Sequence, residues 1–221
     1  MRALFIAIFL FINGVLLDSA QYRQPDPAIS AIVEAPAAPL VSISPTRNAV
    51  LLTDYNPNPG IATLAQPFLR LAGLRIQPEL NSRRRLTDYT AVTIRKLSEK
   101  DDVNIQLPGD RQLSGVPTWS NDGKYIAFGM DSEIGVELWV AETATGEARR
   151  ISDLYINYVL ISGFSWMKDN RHLLVSMIPP GRGKAPVANR IPASPVIDET
   201  SGKVSRVMTY QDLLENKHDE D

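Results

Sequence analysis

The clearest pattern of hydrophobic and polar positions lies in residues 116–152, where short apolar runs alternate with polar turns. Side chains alternate between the two faces of an extended segment. On that basis Val136, Leu138 and Val140 share one face, and Trp139 lies on the other. Asp-Gly and Thr-Gly turns separate the runs, because glycine adopts the positive φ that such turns require. The pattern predicts a four-stranded antiparallel meander with strands at 118–120, 124–130, 136–141 and 148–152.

The meander repeats, and the repeat selects one fold among the many all-β folds. Trp166 stands where Trp119 stood, 47 residues earlier, a spacing that fits propeller blades of roughly 40–50 residues. Strands are predicted after it at 172–178, 196–199 and 204–208. A divergent earlier copy begins near Ile43, with strands at 41–45, 49–53, 90–94 and 103–105. Both tryptophans are expected to be mostly buried on the first strand of their units.

We therefore predict an all-β fold, an incomplete β-propeller of about three four-stranded blades with a short helical insertion in the first. The predicted blades cover 41–110, 116–152 and 163–210. Propellers close with about four to eight blades, so three cannot form a ring. We interpret the chain as a fragment of a longer protein. The alternative is closure by pairing with other chains, since open strand edges promote self-association.

The N-terminal residues 1–20 have the pattern of a targeting segment. Arg2 precedes an apolar run at 3–17, and Asp18-Ser19-Ala20 offers a small residue for cleavage, although Asp18 is unfavourable three positions before the scissile bond. The segment is interpreted as a signal peptide, or as a membrane anchor if it is not cleaved. We expect an exported chain, periplasmic or secreted. Residues 21–40 are proline-rich and are expected to be an extended lead-in.

Two segments interrupt the predicted strands. Residues 56–85 form the insertion in the first blade, with helix-like apolar spacing at 61–65 and 68–72. Its basic run, Arg83-Arg84-Arg85, is interpreted as an exposed loop, the alternative being a phosphate or partner site. The Pro/Gly-rich loop at 179–195 is expected to reach another domain or a ligand face, because loops of this length are seldom idle.

The composition excludes several classes of function. The chain has no cysteine, which rules out thiolate metal sites and cysteine nucleophiles. Its net charge of −2 and pI near 5.8 give no reason to expect a nucleic-acid partner.

No catalytic, cofactor-binding or metal site is predicted. Ser165 follows Gly163, but Met167 occupies the second glycine position of a nucleophile elbow. His172 is expected to be exposed at a strand entrance, and His218 lies in a charged tail without a nearby serine. Residues 181–184 lack P-loop spacing. The remaining conspicuous side chains are interpreted as turn residues (Asp122 and Asp169) and as blade-packing residues (Trp119, Trp139 and Trp166).

A family resemblance rests on the order of the motifs APAAPLVSISP, LAQPFLRLAGLRIQP, PTWSNDGKYIAF, ELWVAE, FSWMKD, PPGRGKAP and VMTYQDLLENKHDED. It resembles the N-terminal propeller of the glutamyl endopeptidase branch of the prolyl oligopeptidase clan. LAGLRIQP and TYQDLL are the specific motifs, because neither belongs to the blade consensus. The resemblance runs from about Gln21 to the end of the chain.

The resemblance implies a propeller that gates the access of peptide substrates to a C-terminal α/β-hydrolase domain absent from this chain. That domain would carry the serine peptidase activity, with a preference for glutamate, and this chain alone would be inactive. The alternative is a non-enzymatic exported propeller that acts as a protein-binding scaffold. A downstream G-x-S-x-G motif would favour the first function. Further blades that close the ring, followed by the end of the reading frame, would favour the second.

Overall fold

The computed structural model describes residues 24–109, 111–160 and 163–183, together with positions 187, 202, 204, 212–214 and 217–220. The chain divides into two compact parts, residues 1–36 and 37–221. The first contains helix α1 (Pro27–Val33), whose N-cap Asp26 accepts the Ala28 N–H at 2.8 Å. The predicted extended lead-in is therefore wrong over 27–33. Proline is tolerated in the first helical turn, and an aspartate before it caps that turn.

The second part is built from antiparallel sheets. Its first blade has the strand order β1 (Leu40–Ile43), β2 (Ala49–Asn56), β6 (Asp88–Lys96) and β7 (Val103–Asn104). These are the four strands that the divergent first repeat predicted. Leu51 on β2 and Ile94 on β6 are paired in register and fully buried. Strands β2 and β6 are therefore the central strands of the blade, and β1 and β7 are its edge strands.

The second blade is a four-stranded meander in sequence order, as its turn pattern predicted. It consists of β8 (Thr118–Trp119), β9 (Tyr125–Asp131), β10 (Val136–Glu142) and β11 (Ala148–Arg150). The turn between β8 and β9 is closed by Asp122, whose carboxylate accepts the Lys124 N–H at 3.2 Å. Gly123 has φ 71° there, the left-handed conformation that glycine tolerates best.

The third blade is described only in its first two strands, β12 (Phe164–Trp166) and β13 (Leu173–Val175), which pair antiparallel. The predicted strands 196–199 and 204–208 lie outside the described residues, apart from the isolated position Val204. In the tail, the structure describes a short helix, α3 (Lys217–Glu220).

The blades stack through two apolar cores, and the second blade has one on each face. Ile126, Phe128 and Met130 pack against the first blade. Leu138 and Val140, with Val136, pack against the third blade. Alternation along β9 and β10 thus supplies both cores, as the period of two predicted. The all-β prediction of an incomplete propeller is confirmed, while the predicted limits of the blades remain predictions.

The two repeat tryptophans hold equivalent positions. Trp119 lies on β8 and Trp166 on β12, each the first strand of its blade. Trp119 packs against the core between the first two blades, and Trp166 against the next core. Both are mostly buried, as expected. Trp166 keeps its indole N–H near the surface, where it donates to the Thr118 carbonyl at 3.1 Å.

The insertion, residues 57–87, folds as a short helix followed by a sheet. Helix α2 (Ile61–Leu64) lies within the predicted segment 61–65. The predicted helical spacing at 68–72 is wrong, because this segment forms β3 (Leu69–Leu71). It pairs with β4 (Leu74–Gln77), which pairs with β5 (Ser82–Arg83). Ala72 and Gly73 both have positive φ, the conformation of a tight hairpin turn. We call residues 57–87 the brace.

Within the part of the chain that the structure describes, no helix is both long enough and apolar enough to cross a membrane.

Candidate functional site

The serine and histidines considered in the sequence lie apart from one another. Ser165 is in the middle of β12, paired with Leu174 and exposed. His172 follows the turn before β13, and His218 lies in helix α3. Within the described residues, no hydrogen bond joins either histidine to a serine. Nor is any group of three or more His, Cys, Asp or Glu side chains in this part of the chain placed to hold a metal ion.

His172 does have a carboxylate partner. Its Nδ1 lies 2.5 Å from Asp169 Oδ2, and the side chain is 71% exposed. The His172 hydrogen bond, with the backbone N–H groups of Arg171 and His172, lowers the pKa of Asp169 to about 2. Asp169 is therefore a turn residue, as predicted. The pair closes the turn between β12 and β13.

A polar cavity of about 280 Å³ lies between the brace and the second blade. The side chains that line it include Gln66, Gln77, Glu79, Arg85, Asp88, Gln112, Asp131, Ser132 and Glu133. Among these described residues, four are carboxylates and one is a guanidinium. The cavity therefore suits groups that donate hydrogen bonds or carry positive charge. Its serine, Ser132, already donates to the Gly135 carbonyl at 2.7 Å.

Asp131 has several charged and polar partners at the edge of that cavity. Its carboxylate is paired with the Arg85 guanidinium and accepts a hydrogen bond from Ser114 Oγ at 2.5 Å. Its backbone carbonyl accepts from Arg111 Nε at 2.9 Å. Because Arg85 belongs to the brace and Asp131 ends β9, this pair joins the insertion of the first blade to the second blade. Sequence analysis missed it, since the two residues are 46 positions apart.

A second charged cluster surrounds Glu137 on β10. The carboxylate accepts from Arg111 at 2.6 Å and from the Trp139 indole N–H at 2.9 Å, and it pairs with Arg150 at 3.1 Å. Burial acts to raise the pKa of Glu137. The hydrogen bonds from Arg111 and Trp139 and the two positive charges outweigh it and hold that pKa below its usual range. Glu137 is therefore ionised, and its partners satisfy it.

An apolar groove of about 750 Å³ opens between the second and third blades. Leu138, Val140 and Ile151 of the second blade face Trp166 and Leu173 of the third across it. Arg149, Arg171 and His172 also contribute to its lining. Its walls are the same apolar faces that form the core between these blades.

The brace reaches the third-blade side of the molecule through its basic run. Arg83 donates to the Val159 carbonyl at 2.6 Å and to the Leu160 carbonyl at 3.1 Å. Tyr158 N–H donates to the Asn81 carbonyl at 2.9 Å. Arg84 donates to the Leu64 carbonyl at 2.8 Å. Arg83 is exposed and ends β5, while Arg84 and Arg85 are half-buried in the loop that follows it. The interpretation of Arg83-Arg84-Arg85 as an exposed loop is therefore correct only in part, and all three guanidinium groups contact partners within the chain.

The other end of the brace sheet holds a residue far along the chain. Asp212 Oδ2 accepts from Arg75 Nε at 3.1 Å, and its Oδ1 lies 3.7 Å from Arg70 Nε. The Gly73 N–H donates to the Asp212 carbonyl oxygen at 2.6 Å. Asp212 belongs to the motif TYQDLL, and its partners belong to LRLAGLRIQP. The two specific motifs of the sequence thus meet in space.

Phe68 organises the arginines on that sheet. The guanidinium carbons of Arg70, Arg75 and Arg84 lie 5.6, 5.9 and 4.1 Å from the centre of its ring. A cation is attracted to the face of an aromatic ring at these distances. Phe68 therefore orients the groups that contact Asp212 and Leu64.

Two curated proteins are similar to the chain over 90% of its length. The one from Arabidopsis thaliana, described as "Probable glutamyl endopeptidase, chloroplastic", is 37% identical over 217 residues. The one from Oryza sativa subsp. japonica has the same description and is 35% identical over 216 residues. The chain spans 22% and 23% of their respective lengths.

Among solved structures, the acylaminoacyl peptidase of Pyrococcus horikoshii covers 74% of this chain at 18% identity, with a TM-score of 0.41. The match takes in 21% of that protein. No family model matches the chain.

Proposed function

Since the chain is homologous to part of the glutamyl endopeptidases, as its motifs predicted, we propose that it is the propeller portion of a prolyl-oligopeptidase-like serine endopeptidase. In this proposal it gates the access of peptides, with a preference for glutamate, to an α/β-hydrolase domain elsewhere in the protein. The observation that carries the proposal is the extent of the sequence similarity. It runs through nine-tenths of this chain and only about a fifth of each relative.

The fold supports a gating role in two ways. A gate excludes folded proteins by size and needs no reactive side chain. Within the described residues, the histidines have no serine partner, and the polar cavity holds Asp131 paired with Arg85. In addition, the second blade is packed on both faces, so the three blades form a continuous wall. A binding scaffold would share both properties, so the similarity to the two glutamyl endopeptidases is what favours the gate.

A chimera tests the gating role. Residues 41–221 replace the matching segment of the Arabidopsis relative, and cleavage of a short glutamyl peptide is compared with cleavage of a folded protein that contains the same sequence. We expect the chimera and the parent relative alike to cleave the peptide and spare the folded protein. Deletion of the segment should remove that discrimination. A chimera that cleaves both substrates equally would contradict gating.

The isolated chain gives a second test. Purified residues 21–221 should neither hydrolyse glutamyl peptides nor react with a fluorophosphonate probe for activated serines. The matched control is Ser165→Ala, which removes the serine nearest to a nucleophile-elbow pattern. Stoichiometric labelling of the chain that is lost in this variant would show a catalytic serine and overturn the proposal.

We also propose that residues 1–20 direct the chain to a compartment by export. The support is the pattern of Arg2 followed by an apolar run. The two curated relatives are described as chloroplastic, so an organelle is the competing destination. A reporter fused to residues 1–40 distinguishes them by fractionation. Leu10→Arg, which interrupts the apolar run, should retain the reporter in the compartment of synthesis.

A further inference from the structure

The brace contacts every blade of the described array, although it is inserted in only one. It leaves the first blade after β2 and returns to it at β6. Arg85 reaches Asp131 at the end of β9 in the second blade. Arg83 and Asn81 reach residues 158–160, which connect the second blade to the third. Arg182, after β13, donates to the Asn81 side chain.

The last contact of the brace is a site built for a carboxylate. Arg70 and Arg75 present guanidinium groups to Asp212, and the Gly73 N–H takes its backbone carbonyl. The Asp212 side chain is only 11% exposed, while Arg70 and Arg75 are 64% and 47% exposed. The carboxylate is thus covered by the arginines. The site contacts both the side-chain carboxylate and the backbone carbonyl of the same residue. It therefore recognises an aspartate within a polypeptide and not a free anion.

Several of these contacts are exposed, and an exposed ion pair contributes little on its own in water. Their number and placement decide the effect. The contacts are distributed along one sheet, β3 to β5. Once one contact has formed, the donor and acceptor of the next contact are already held close together, as in multivalent binding. Relative motion between blades would require several contacts to break at once.

We propose that the brace is a latch: its carboxylate site takes Asp212, and with Arg83 and Arg85 it locks the first three blades into one rigid block. The inference rests on the proposed function in one respect. If the propeller admits peptides by opening between blades, the opening lies outside these three blades.

The absence of cysteine in the sequence makes a distance measurement direct. Lys100→Cys, after β6, and Lys168→Cys, between β12 and β13, are exposed positions on the first and third blades, outside the brace. Nitroxide labels at both sites report the inter-blade distance by pulsed electron paramagnetic resonance. The chain with an intact brace should give a single narrow distribution.

The latch is then broken by the double variant Arg75→Ala/Arg83→Ala. We expect the narrow distribution to be replaced by a broader one that extends to longer distances. The matched control is Arg95→Ala, which removes an exposed Arg–Asp pair within the first blade, 2.7 Å from Asp102. The control should keep the narrow distribution. A broken latch that gives the same distribution as the control would overturn the proposal, as would a broad distribution in the intact chain.

Two measurements distinguish release of the latch from unfolding of the double variant. Slow hydrogen exchange at Leu51 and Ile94, both fully buried, should persist if the blades stay folded. If that protection is lost, Asp212→Asn replaces the double variant. It keeps the shape of the side chain and removes the charge that the site reads, and it should broaden the distribution more than Arg95→Ala does. Equal distributions would again refute the latch. Neither readout requires peptidase activity, so the latch can fail while the chimera still gates peptides.

Discussion

Glu137 shows at the scale of one residue how this fold accommodates a charge inside a blade. Burial alone would raise the pKa of a carboxylate at that depth, since it disfavours the charged form. Arg111, Trp139 and Arg150 instead provide three partners from three different segments. The cluster is satisfied only when β10, β11 and the segment before β8 are all in place, so its integrity reports on the whole second blade.

We predict that Glu137→Ala lowers the free energy of unfolding by about 1–3 kcal/mol, because it leaves the half-buried donors of Arg111, Trp139 and Arg150 without this partner. Chemical denaturation followed by tryptophan fluorescence measures the change. Glu147→Ala, an exposed carboxylate in the turn before β11, is the control and should stay close to the parent. Equal stability of the two variants would show that the cluster contributes nothing.

The Asp169–His172 pair predicts a specific titration. Because the folded pKa of Asp169 is lowered to about 2, its contribution to stability is complete above the ordinary aspartate pKa of about 3.9. The contribution is lost as the pH falls from there toward 2. Carboxyl NMR titration should show His172→Ala raising the pKa of Asp169 toward its ordinary range.

Arg171→Ala is the matched control for that titration, since it keeps the backbone N–H that also bonds Asp169. The pKa of Asp169 should stay low in this variant. If both variants shifted it equally, the side chain of His172 would not be the main cause.

Residue patterns predicted some of these roles and could not predict others. The sequence identifies Asp122 and Asp169 as turn residues, because an aspartate side chain can accept a hydrogen bond from the backbone N–H two residues further along the chain. The pairing of Arg85 with Asp131 has no local signal, since the two residues meet only through the fold. The same holds for Asp212, whose partners lie 137 residues earlier at Arg75.

At the scale of elements, alternation along the chain predicted the strands of the first two blades well. β9 and β10 supply apolar side chains to both faces, so their pattern of burial is strong. The secondary structure of the brace was harder to predict from the sequence. Phe68, Leu71 and Ala72 have the i, i+3, i+4 spacing of a helix face. The positive φ of Ala72 and Gly73 instead turns the chain into a hairpin. Alanine rarely adopts that conformation, so the sequence did not signal the turn.

Gly146 makes a testable contact between blades. It lies in the turn after β10 with φ 77°, and a Cβ there would overlap the Asn104 carbonyl oxygen of β7. Its own carbonyl accepts the Gln106 N–H at 2.8 Å. We predict that Gly146→Ala destabilises the chain by about 1–3 kcal/mol beyond the cost of the positive φ, because overpacking forces the blades apart.

The control for this prediction is Gly109→Ala. Gly109 also has a positive φ, 64°, but nothing lies within 4 Å of the added Cβ. It should cost only the left-handed conformation, about 1–2 kcal/mol. Thermal unfolding of both variants separates strain from crowding. If Gly146→Ala were no worse than Gly109→Ala, the turn would not be a close contact between blades.

At the scale of the whole molecule, the first blade has an uncovered apolar face. Val41 and Ile43 of β1 are 63% and 66% exposed. They pair with Leu52 and Val50 of β2, which share that face. The opposite face of the same blade is buried against the second blade. Apolar sheet faces with free edges promote association.

We therefore predict that residues 21–221 self-associate in solution. Light scattering after size-exclusion chromatography should show oligomers, and Val41→Lys/Ile43→Lys should shift them toward the monomer. Ile134→Lys, an exposed apolar residue in the turn between β9 and β10, is the control and should leave the oligomers unchanged. A compact monomer of the parent chain with a cooperative melt would contradict the prediction.

The distance along the chain between Arg75 and Asp212 also sets an order of events during synthesis. The two residues are 137 positions apart, and ribosomes add about 5–20 residues per second. The brace therefore emerges on the order of ten seconds before its aspartate exists. During that interval its arginines stand unpaired beside a nascent sheet, open to any acidic segment nearby. The brace and the strands of the first blade are thus synthesised well before Asp212, the residue that contacts Arg75 in the finished fold.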